Sequence, residues 1–493
     1  MPAVSFEHLF EALAGNHSNS LEYYVGDDIH VKTFQELYAD VLELAGGLEV
    51  LGIRPGQRVG LWSENDYFWV VLDLACLALG AVSVPFHASI TDMNVPEAIC
   101  TFELAALFTA SELHVPDGES VATMPRPSVG ESGRVPRPRE LAPWEPSSPF
   151  TILFTSGTTG IPKALELKVK SVTDFLDTAN RLFELRPDDR VIVFMPLSHF
   201  GQRSYIYAAI ILGFDMTLVP AAGVFAAFRR SRPTLLVAVP FFFDGLYRAF
   251  RTATSPEPLR RFLGGAMRLM ITGSAPIRRE VLEFFARMGF EVYEGYGTTE
   301  SGLITLNHPG AFRLGSVGQV FPNKEVCIGD GGEVLVRGEF CWADRYLHQP
   351  DDVNAEVFGG DGYIHTGDIG HFDADGFLHL TGRRKEMMVF SNGSKAHPSE
   401  IESRLQRHDE VLQACVFSAA DSVCAVIVPS DGVVSEQVHS IVEGANTLLP
   451  DYARIQRYVI SPEPFSSDNG LLTASLKLNR PLVARRFGDR LAT

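Results

Sequence analysis

The chain has 493 residues, 46% hydrophobic, 21% charged and 10% aromatic, a composition that excludes a disordered chain and leaves room for about three domains or one large and one smaller. Its 42 Lys and Arg against 60 Asp and Glu give a formal charge of −18, which argues against a broad nucleic-acid or anionic-membrane surface. A polyphosphate bound by such a chain needs a locally positive pocket or a metal ion.

From residue 33 the pattern predicts a helix over 35–51, a Gly/Pro turn over 52–56, a strand over 58–62, a helix over 66–79 and a strand over 81–84. The most apolar window, 70–86, holds Asp73 and Gly80, so it reads as a buried helix entering a strand and not as a membrane span. No basic segment precedes an apolar run at the start, so no secretory signal is read. Residues 115–148, rich in Pro, Ser and Gly, read as a surface connection before a strand over 150–154. Apolar strand segments recur at 190–194, 215–219, 235–239, 269–272 and 291–293 with helical stretches between them. Strands alternating with helices predict an α/β body around parallel sheet. Beyond residue 313 short strands and turns such as 329–332 and 373–376 predict a small antiparallel subdomain. The segment from 385 predicts a helix over 398–406, two strands and a further helix, enough for a core of its own. The expected division is a large domain over 1–384 and a small α+β domain over 385–493. The six cysteines form no CxxC pair, which excludes a disulfide framework and a thiolate zinc site and fits a reducing compartment.

Five segments carry chemistry. Thr155-Ser156-Gly157-Thr158-Thr159-Gly160, closed by Lys163, follows a predicted strand. Glycines let backbone N–H groups approach phosphate oxygens, the hydroxyls donate, and the lysine adds a point charge. It is not a Walker loop, because Pro162 precedes the lysine and no hydroxyl follows it. Taken alone, the stretch is equally a Ser/Gly surface turn. Tyr296-Gly297-Thr298-Thr299-Glu300 offers an aromatic ring to a base and a carboxylate to Mg²⁺, or else a hairpin with a solvated acid. Asp368 is read as an aspartate on a tight turn that accepts ribose hydroxyls. Gly382-Arg383-Arg384-Lys385 forms a basic segment, and Lys477 stands alone in an apolar stretch, where a snorkelling surface lysine is the ordinary alternative.

In order and spacing these segments resemble the adenylate-forming superfamily of acyl-CoA synthetases, peptide-synthetase adenylation domains and luciferase. The likeness covers nearly the whole chain, and the runs 44–59 and 472–478 look most like the long-chain acyl-CoA synthetase branch. The resemblance implies ATP- and Mg²⁺-dependent activation of a carboxylic acid as an acyl-adenylate, with pyrophosphate released and the acyl group then passed to an acceptor. It places Thr155 to Gly160 and Lys163 on the β- and γ-phosphates, and Gly273-Ser274-Ala275-Pro276 with Tyr296 around adenine. Thr299 falls at the α-phosphate beside Gly297 and Thr298, and Glu300 at Mg²⁺. Asp368 and Arg383 fall at the ribose, Lys477 becomes the catalytic lysine and Lys385 the hinge. Such a lysine is needed because two anions must meet while charge builds on phosphorus and pyrophosphate.

His199, in Pro196-Leu197-Ser198-His199, falls at the family's acyl-pocket histidine; a helix-capping histidine is the alternative. Phe200, Tyr205 and Phe241 are further candidates for that pocket, and their aromatic character favours an apolar or aromatic acid. Two departures bear on the acceptor. The run after Lys163 is Ala164-Leu165-Glu166-Leu167-Lys168, without the common Ser-His pair, and the predicted strands inside 416–428 are joined by only 419–422. CoA keeps the highest base rate as acceptor. A free amine, giving an amide, is the runner-up, and a carrier-protein thiol is the third outcome.

Overall fold

The structure, a computed structural model, describes residues 4–492 except 89, 91–92, 119, 130–139, 156–162, 339–340, 420–421, 467–468 and 474–477. Among the described residues the large body holds two sheets. One has seven strands in the order Ser120–Pro125, Glu112–Asp117, Leu104–Thr109, Arg58–Trp62, Val82–Phe86, Pro149–Thr155, Lys163–Lys168. The other has nine, with Val292–Thr298, Leu269–Thr272, Leu235–Ala238, Arg190–Val193 and Asp215–Leu218 as neighbouring parallel strands. A four-stranded antiparallel sheet follows, ending in Ile364–Phe372 and Leu378–Arg383. The alternation of strand and helix thus yields the expected α/β body with its small antiparallel subdomain.

The helix Tyr67–Leu79 is buried along its whole length, which explains the continuous apolar window in the sequence. Asp66 caps it by accepting from the Trp69 N–H at 2.6 Å, and Gly80 ends it in the left-handed region. Among the described residues no helix is long and apolar enough to cross a membrane. Asp73, the charge inside that window, meets the fully buried Arg203 of the helix Phe200–Leu212. Arg203 Nε donates to Asp73 Oδ2 at 2.9 Å, Nη1 to Thr151 Oγ1 at 2.9 Å and Nη2 to Ser83 Oγ at 2.9 Å, while the Tyr207 hydroxyl donates to Asp73 Oδ2 at 2.6 Å. A buried charge is tolerated only when so matched. The network ties both helices to the strands Val82–Phe86 and Pro149–Thr155.

Several elements differ from expectation. The segment read as a connection from 115 to 148 begins as a hairpin, Glu112–Asp117 against Ser120–Pro125. Its Pro and Ser content hid a strand whose exposed edge needs little apolar patterning. Before residue 33, where no element was predicted, Ser20–Val25 joins the nine-stranded sheet beside Asp215–Leu218 and pairs with Asp28–Thr33. The strand expected over 291–293 runs through the glycines to Thr298 and returns as Gly302–Leu306. Asp368 is not on a tight turn: it lies within Ile364–Phe372, in register with Arg383.

After residue 385 the helix Pro398–Leu405 and the strands Val411–Ala419 and Ser422–Pro429 appear as expected. A third strand, Ile455–Ile460, pairs parallel to the second, and a terminal helix, Arg480–Ala492, completes the unit. It has its own apolar clusters, built around Val416, Ala425 and Ile441 on one face and Cys415, Val426 and Phe487 on the other. All six cysteines are free thiols.

Candidate active site

Lys163 opens the strand Lys163–Lys168, directly opposite Thr155 at the end of Pro149–Thr155. The two residues are therefore the fixed posts of a hairpin. Ser156, Gly157, Thr158, Thr159 and Gly160, which join the posts, lie outside the described residues, as does Lys477. The Lys163 ammonium stands 4.6 Å over the ring of Tyr346, within cation–π range. The Tyr346 hydroxyl donates at 2.5 Å to Glu300 Oε1. One buried ring thus holds the loop lysine and the candidate metal carboxylate together. Tyr346 is itself fixed, since its N–H donates to Asn354 Oδ1 at 2.6 Å and the following Leu347 N–H donates to the Ala164 carbonyl at 2.7 Å. Burial and the Glu300 charge raise its phenol well above the ordinary tyrosine range. A carboxylate with one oxygen anchored and its side chain half-exposed suits a hard divalent cation that keeps water and phosphate as its other ligands. Among the described residues no cluster of three or more His, Cys, Asp or Glu could by itself hold a metal ion.

Glu300 reaches this position because Val292–Thr298 and Gly302–Leu306 form a hairpin. A Cβ at Gly297 would lie 2.3 Å from the Gly302 carbonyl oxygen, so only glycine lets the strands approach here. Thr298 Oγ1 closes the tip, accepting from the Ser301 N–H at 3.2 Å, and Thr299 is half-buried beside it. At the other end of the motif Tyr296 is buried, and its hydroxyl donates at 2.8 Å to Asp368 Oδ2. Arg383 Nε pairs with the other Asp368 oxygen at 2.9 Å. Asp368 is thus held by a phenol and a guanidinium, and two sequence candidates converge on the carboxylate of a third.

Gly273-Ser274-Ala275-Pro276 follows the strand Leu269–Thr272 next to the same hairpin. Ser274 adopts φ of +69°, a left-handed conformation that costs a non-glycine residue of order 1 kcal/mol and gathers at functional loops. Glu294 lies behind this loop. Its carboxyl is buried and accepts a backbone hydrogen bond from Ile277, and burial pushes it up to about 8.

His199 occupies the N-cap position of Phe200–Leu212, yet its side chain does not cap the helix. Its ring lies 5.5 Å from that of His87, centroid to centroid, across the seam between the two sheets. The other pocket candidates differ in burial. Phe200 is a core residue, packed edge-on against Trp342 at 5.2 Å, and Tyr205 is likewise buried. Phe241 is 58% exposed on the first turn of Pro240–Phe250, and it is the adjacent Phe242 that packs on Phe194 at 5.1 Å. Lys385, in a short 3-10 turn after Arg383, is 86% exposed and pairs with Glu356 at 3.2 Å.

Sequence reasoning passed over Tyr346 and His87. Nothing local marks Tyr346, whose role arises only from long-range contact. His87 had a signal available: it follows the C-terminal end of a parallel strand, where open α/β sheets place their ligands.

The family model described as AMP-binding enzyme matches residues 10–347, and that described as AMP-binding enzyme C-terminal domain matches residues 385–492. The long-chain-fatty-acid–CoA ligase FadD15 of Mycobacterium bovis is 28% identical over 551 aligned positions, covering 93% of this chain and 91% of that protein. In fold the chain is similar to the anthranilate CoA ligase AuaEII, solved with anthranoyl-AMP, with a TM-score of 0.83 at 20% identity over 100% of this chain and 99% of that one. It is also similar to o-succinylbenzoate CoA synthetase of Bacillus subtilis, solved with its acyl-adenylate intermediate, with a TM-score of 0.79 at 22% identity over 97% of each chain.

Proposed function

The chain belongs to the AMP-binding enzyme family, and from that premise we propose that this ATP-dependent, AMP-forming ligase activates an apolar or aromatic carboxylic acid and passes the acyl group to the thiol of CoA. The observation that carries the reading is the cluster in which Tyr346 bridges Lys163 and Glu300, next to the hairpin whose Tyr296 shares Asp368 with Arg383. It supplies fixed positive charge, an anchored carboxylate and a held ribose-binding acid along one edge. The name of the mycobacterial relative supports both CoA and an apolar acid.

In this reading Thr155 and Lys163 receive the β- and γ-phosphates, together with the hydroxyls of Ser156, Thr158 and Thr159. Thr299 meets the α-phosphate. Asp368 and Arg383 bind the ribose hydroxyls, and residues 273–276 with Tyr296 frame adenine. Glu300 would hold Mg²⁺, which when bound offsets charge on the departing pyrophosphate. The acid's carboxylate oxygen attacks the α-phosphorus while Lys477 stabilises the charge that accumulates there. The large domain ends at 384, and the small domain then rotates about Lys385 to admit the acceptor. A cytoplasmic location accompanies the reading, since its substrates ATP and CoA are cytoplasmic metabolites.

One observation favours an amine as the acceptor. Ala419 faces Ser422 across the hairpin of the small domain, so only two residues join strands that in CoA ligases carry a longer Gly/Asp-rich turn. A carrier-protein thiol is the third possibility. Incubation with ATP, Mg²⁺, a panel of acids and either CoA or amines, with products read by mass spectrometry, separates them. Thioester with CoA and no amide above the non-enzymatic background removes the amine. Failure of every acid to support ATP–pyrophosphate exchange refutes the activation itself.

A further inference from the structure

We propose that His87 is a second working imidazole of this site and takes the proton released when the acceptor displaces AMP from the acyl-adenylate. The inference rests on the acid-activating reading above and assigns a residue to its second half.

Position comes first. His87 follows the strand Val82–Phe86, whose neighbour in the sheet is Pro149–Thr155, with Ser83 opposite Thr151. Phe86 stacks on Phe154 with ring centroids 4.9 Å apart, so His87 emerges beside Thr155, where the hydroxyl and glycine loop begins. On its other side lies His199, with ring centroids 5.5 Å apart and planes at 44°. Whatever approaches one imidazole therefore approaches the other. Three strand ends converge here, all at the C-terminal edge of parallel strands.

The loop that carries His199 is also firmly held. Asn65 reaches from the first sheet to the loop that carries His199, donating through Nδ2 to the Met195 carbonyl at 2.8 Å and accepting from the Leu197 N–H at 2.9 Å. Gln202 grips the same loop from the helix side. Its Oε1 accepts from the N–H groups of Phe194 and Met195 at 2.7 Å each, and its Nε2 donates to the Val237 carbonyl at 2.6 Å. Four hydrogen bonds on residues 194–197, with Gln202 itself tied to Val237, leave the backbone before His199 little freedom to swing away.

Chemistry selects the step. In the first half-reaction the acid arrives ionised and needs no base. In the second, the acceptor's sulfur or nitrogen attacks the acyl carbon and a new S–C or N–C bond forms. The acyl–oxygen bond to AMP breaks, its electron pair stays on the phosphate oxygen, and the acceptor's proton must leave. An imidazole nitrogen takes that proton and later returns it to solvent. Burial draws His87 below the ordinary imidazole range, which keeps it neutral and receptive at pH 7. Glu64, from the loop after Arg58–Trp62, is the charge that opposes this, and His199 is the titratable group facing it from the third strand end.

The test uses the full-length enzyme with benzoate and laurate as probe acids and CoA and benzylamine as probe acceptors. ATP–pyrophosphate exchange reads the first half-reaction, and single-turnover chase of enzyme-bound acyl-adenylate reads the second. For His87→Gln, transfer falls at least tenfold more than exchange. For His87→Ala, added imidazole restores transfer in proportion to its unprotonated concentration. Equal losses in both half-reactions, or transfer unchanged in His87→Gln, overturn the proposal, as does an Ala variant that folds and exchanges but is not rescued. If His87→Ala does not fold, the split measured in His87→Gln decides. Wild-type enzyme that exchanges with no acid refutes the activation reading instead, which keeps the two failures distinct.

Discussion

Tyr346 offers the sharpest test of the site because its ring and its hydroxyl do separate things. Tyr346→Phe deletes a 2.5 Å bond to Glu300 and leaves the ring under Lys163. A hydrogen bond to a charged group is worth about 1.5–3 kcal/mol, and half-exposed Glu300 regains water when it is lost, so about 1–1.5 kcal/mol survives as a cost. At about 1.4 kcal/mol per factor of ten, exchange efficiency falls roughly 5- to 12-fold, with the loss concentrated in the Mg²⁺ dependence. Tyr346→Leu removes the ring as well, and a cation–π contact of about 0.5–2 kcal/mol goes with it. The expected loss there is roughly 12- to 300-fold. The assay is acid-dependent ATP–pyrophosphate exchange over a grid of ATP and Mg²⁺, with thermal unfolding as the check on folding. Exchange within twofold of wild type in both variants, at unchanged Tm, would refute the claim that one ring organises both charges. Equal losses in Phe and Leu would show that the ring adds nothing beyond its hydroxyl.

Three further outcomes follow from the same reasoning. Lys477→Ala abolishes acid-dependent exchange while nucleotide binding, followed by calorimetry, largely survives; unchanged exchange sinks the assignment of the lysine. Asp73→Asn leaves the Arg203 guanidinium buried without its counter-charge and lowers unfolding free energy by about 3–5 kcal/mol in urea titration, whereas Asp73→Leu combined with Arg203→Met costs less than the single change. Glu294 is held protonated by burial in the folded chain, with its carboxyl raised to about 8. The folded state therefore binds more protons than the unfolded one from the ordinary carboxylate range up to about 8, and stability is full below that window and falls as pH rises through it. Denaturation midpoints measured from pH 5 to 8.5 decline in the wild type and flatten in Glu294→Gln, and parallel slopes in the two proteins count against the buried carboxyl.

The elements that were legible in the sequence are those whose pattern is local. Arg58–Trp62 and Leu269–Thr272 match their expected bounds, and the helix expected over 66–79 is Tyr67–Leu79, one residue shorter because Asp66 is its cap. Thr155 and Lys163 were readable as hairpin posts only in part, since nothing in the motif says that Lys163 starts a strand. The return of the chain after Thr298 depends on Gly297 and Gly302 meeting across two strands, a contact with no periodicity to reveal it. Asp368 was misplaced on a turn for a related reason: Gly367 looks like a turn residue, yet here its positive φ serves an irregular strand. Phe241 and Phe242 illustrate a finer failure. Two adjacent aromatics at a helix start point about 100° apart, and the sequence alone does not say which of them faces in.

In the proposed rotation about Lys385, the contrast between Arg203 and the arginines at the C-terminal unit decides which contacts give way. Arg203 is fully buried in a network that closes on itself, so any motion there would strand a charge in a dry core. The arginines that bridge the body and the C-terminal unit reach backbone carbonyls and partly exposed carboxylates. Arg248 Nη2 donates to the carbonyls of Val411 at 3.1 Å and Leu412 at 3.3 Å, and Arg278 donates to that of Gln406. Arg251 pairs with Asp409, and Arg407 with Glu280 at 3.3 Å. Exposed pairs of this kind contribute about 0–1 kcal/mol each. Breaking them strands nothing, and long guanidinium stems can find new carbonyls after a rotation. An apolar interface of the same extent would favour one arrangement of the small unit and so one half-reaction, whereas a polar one lets the substrates choose between the two.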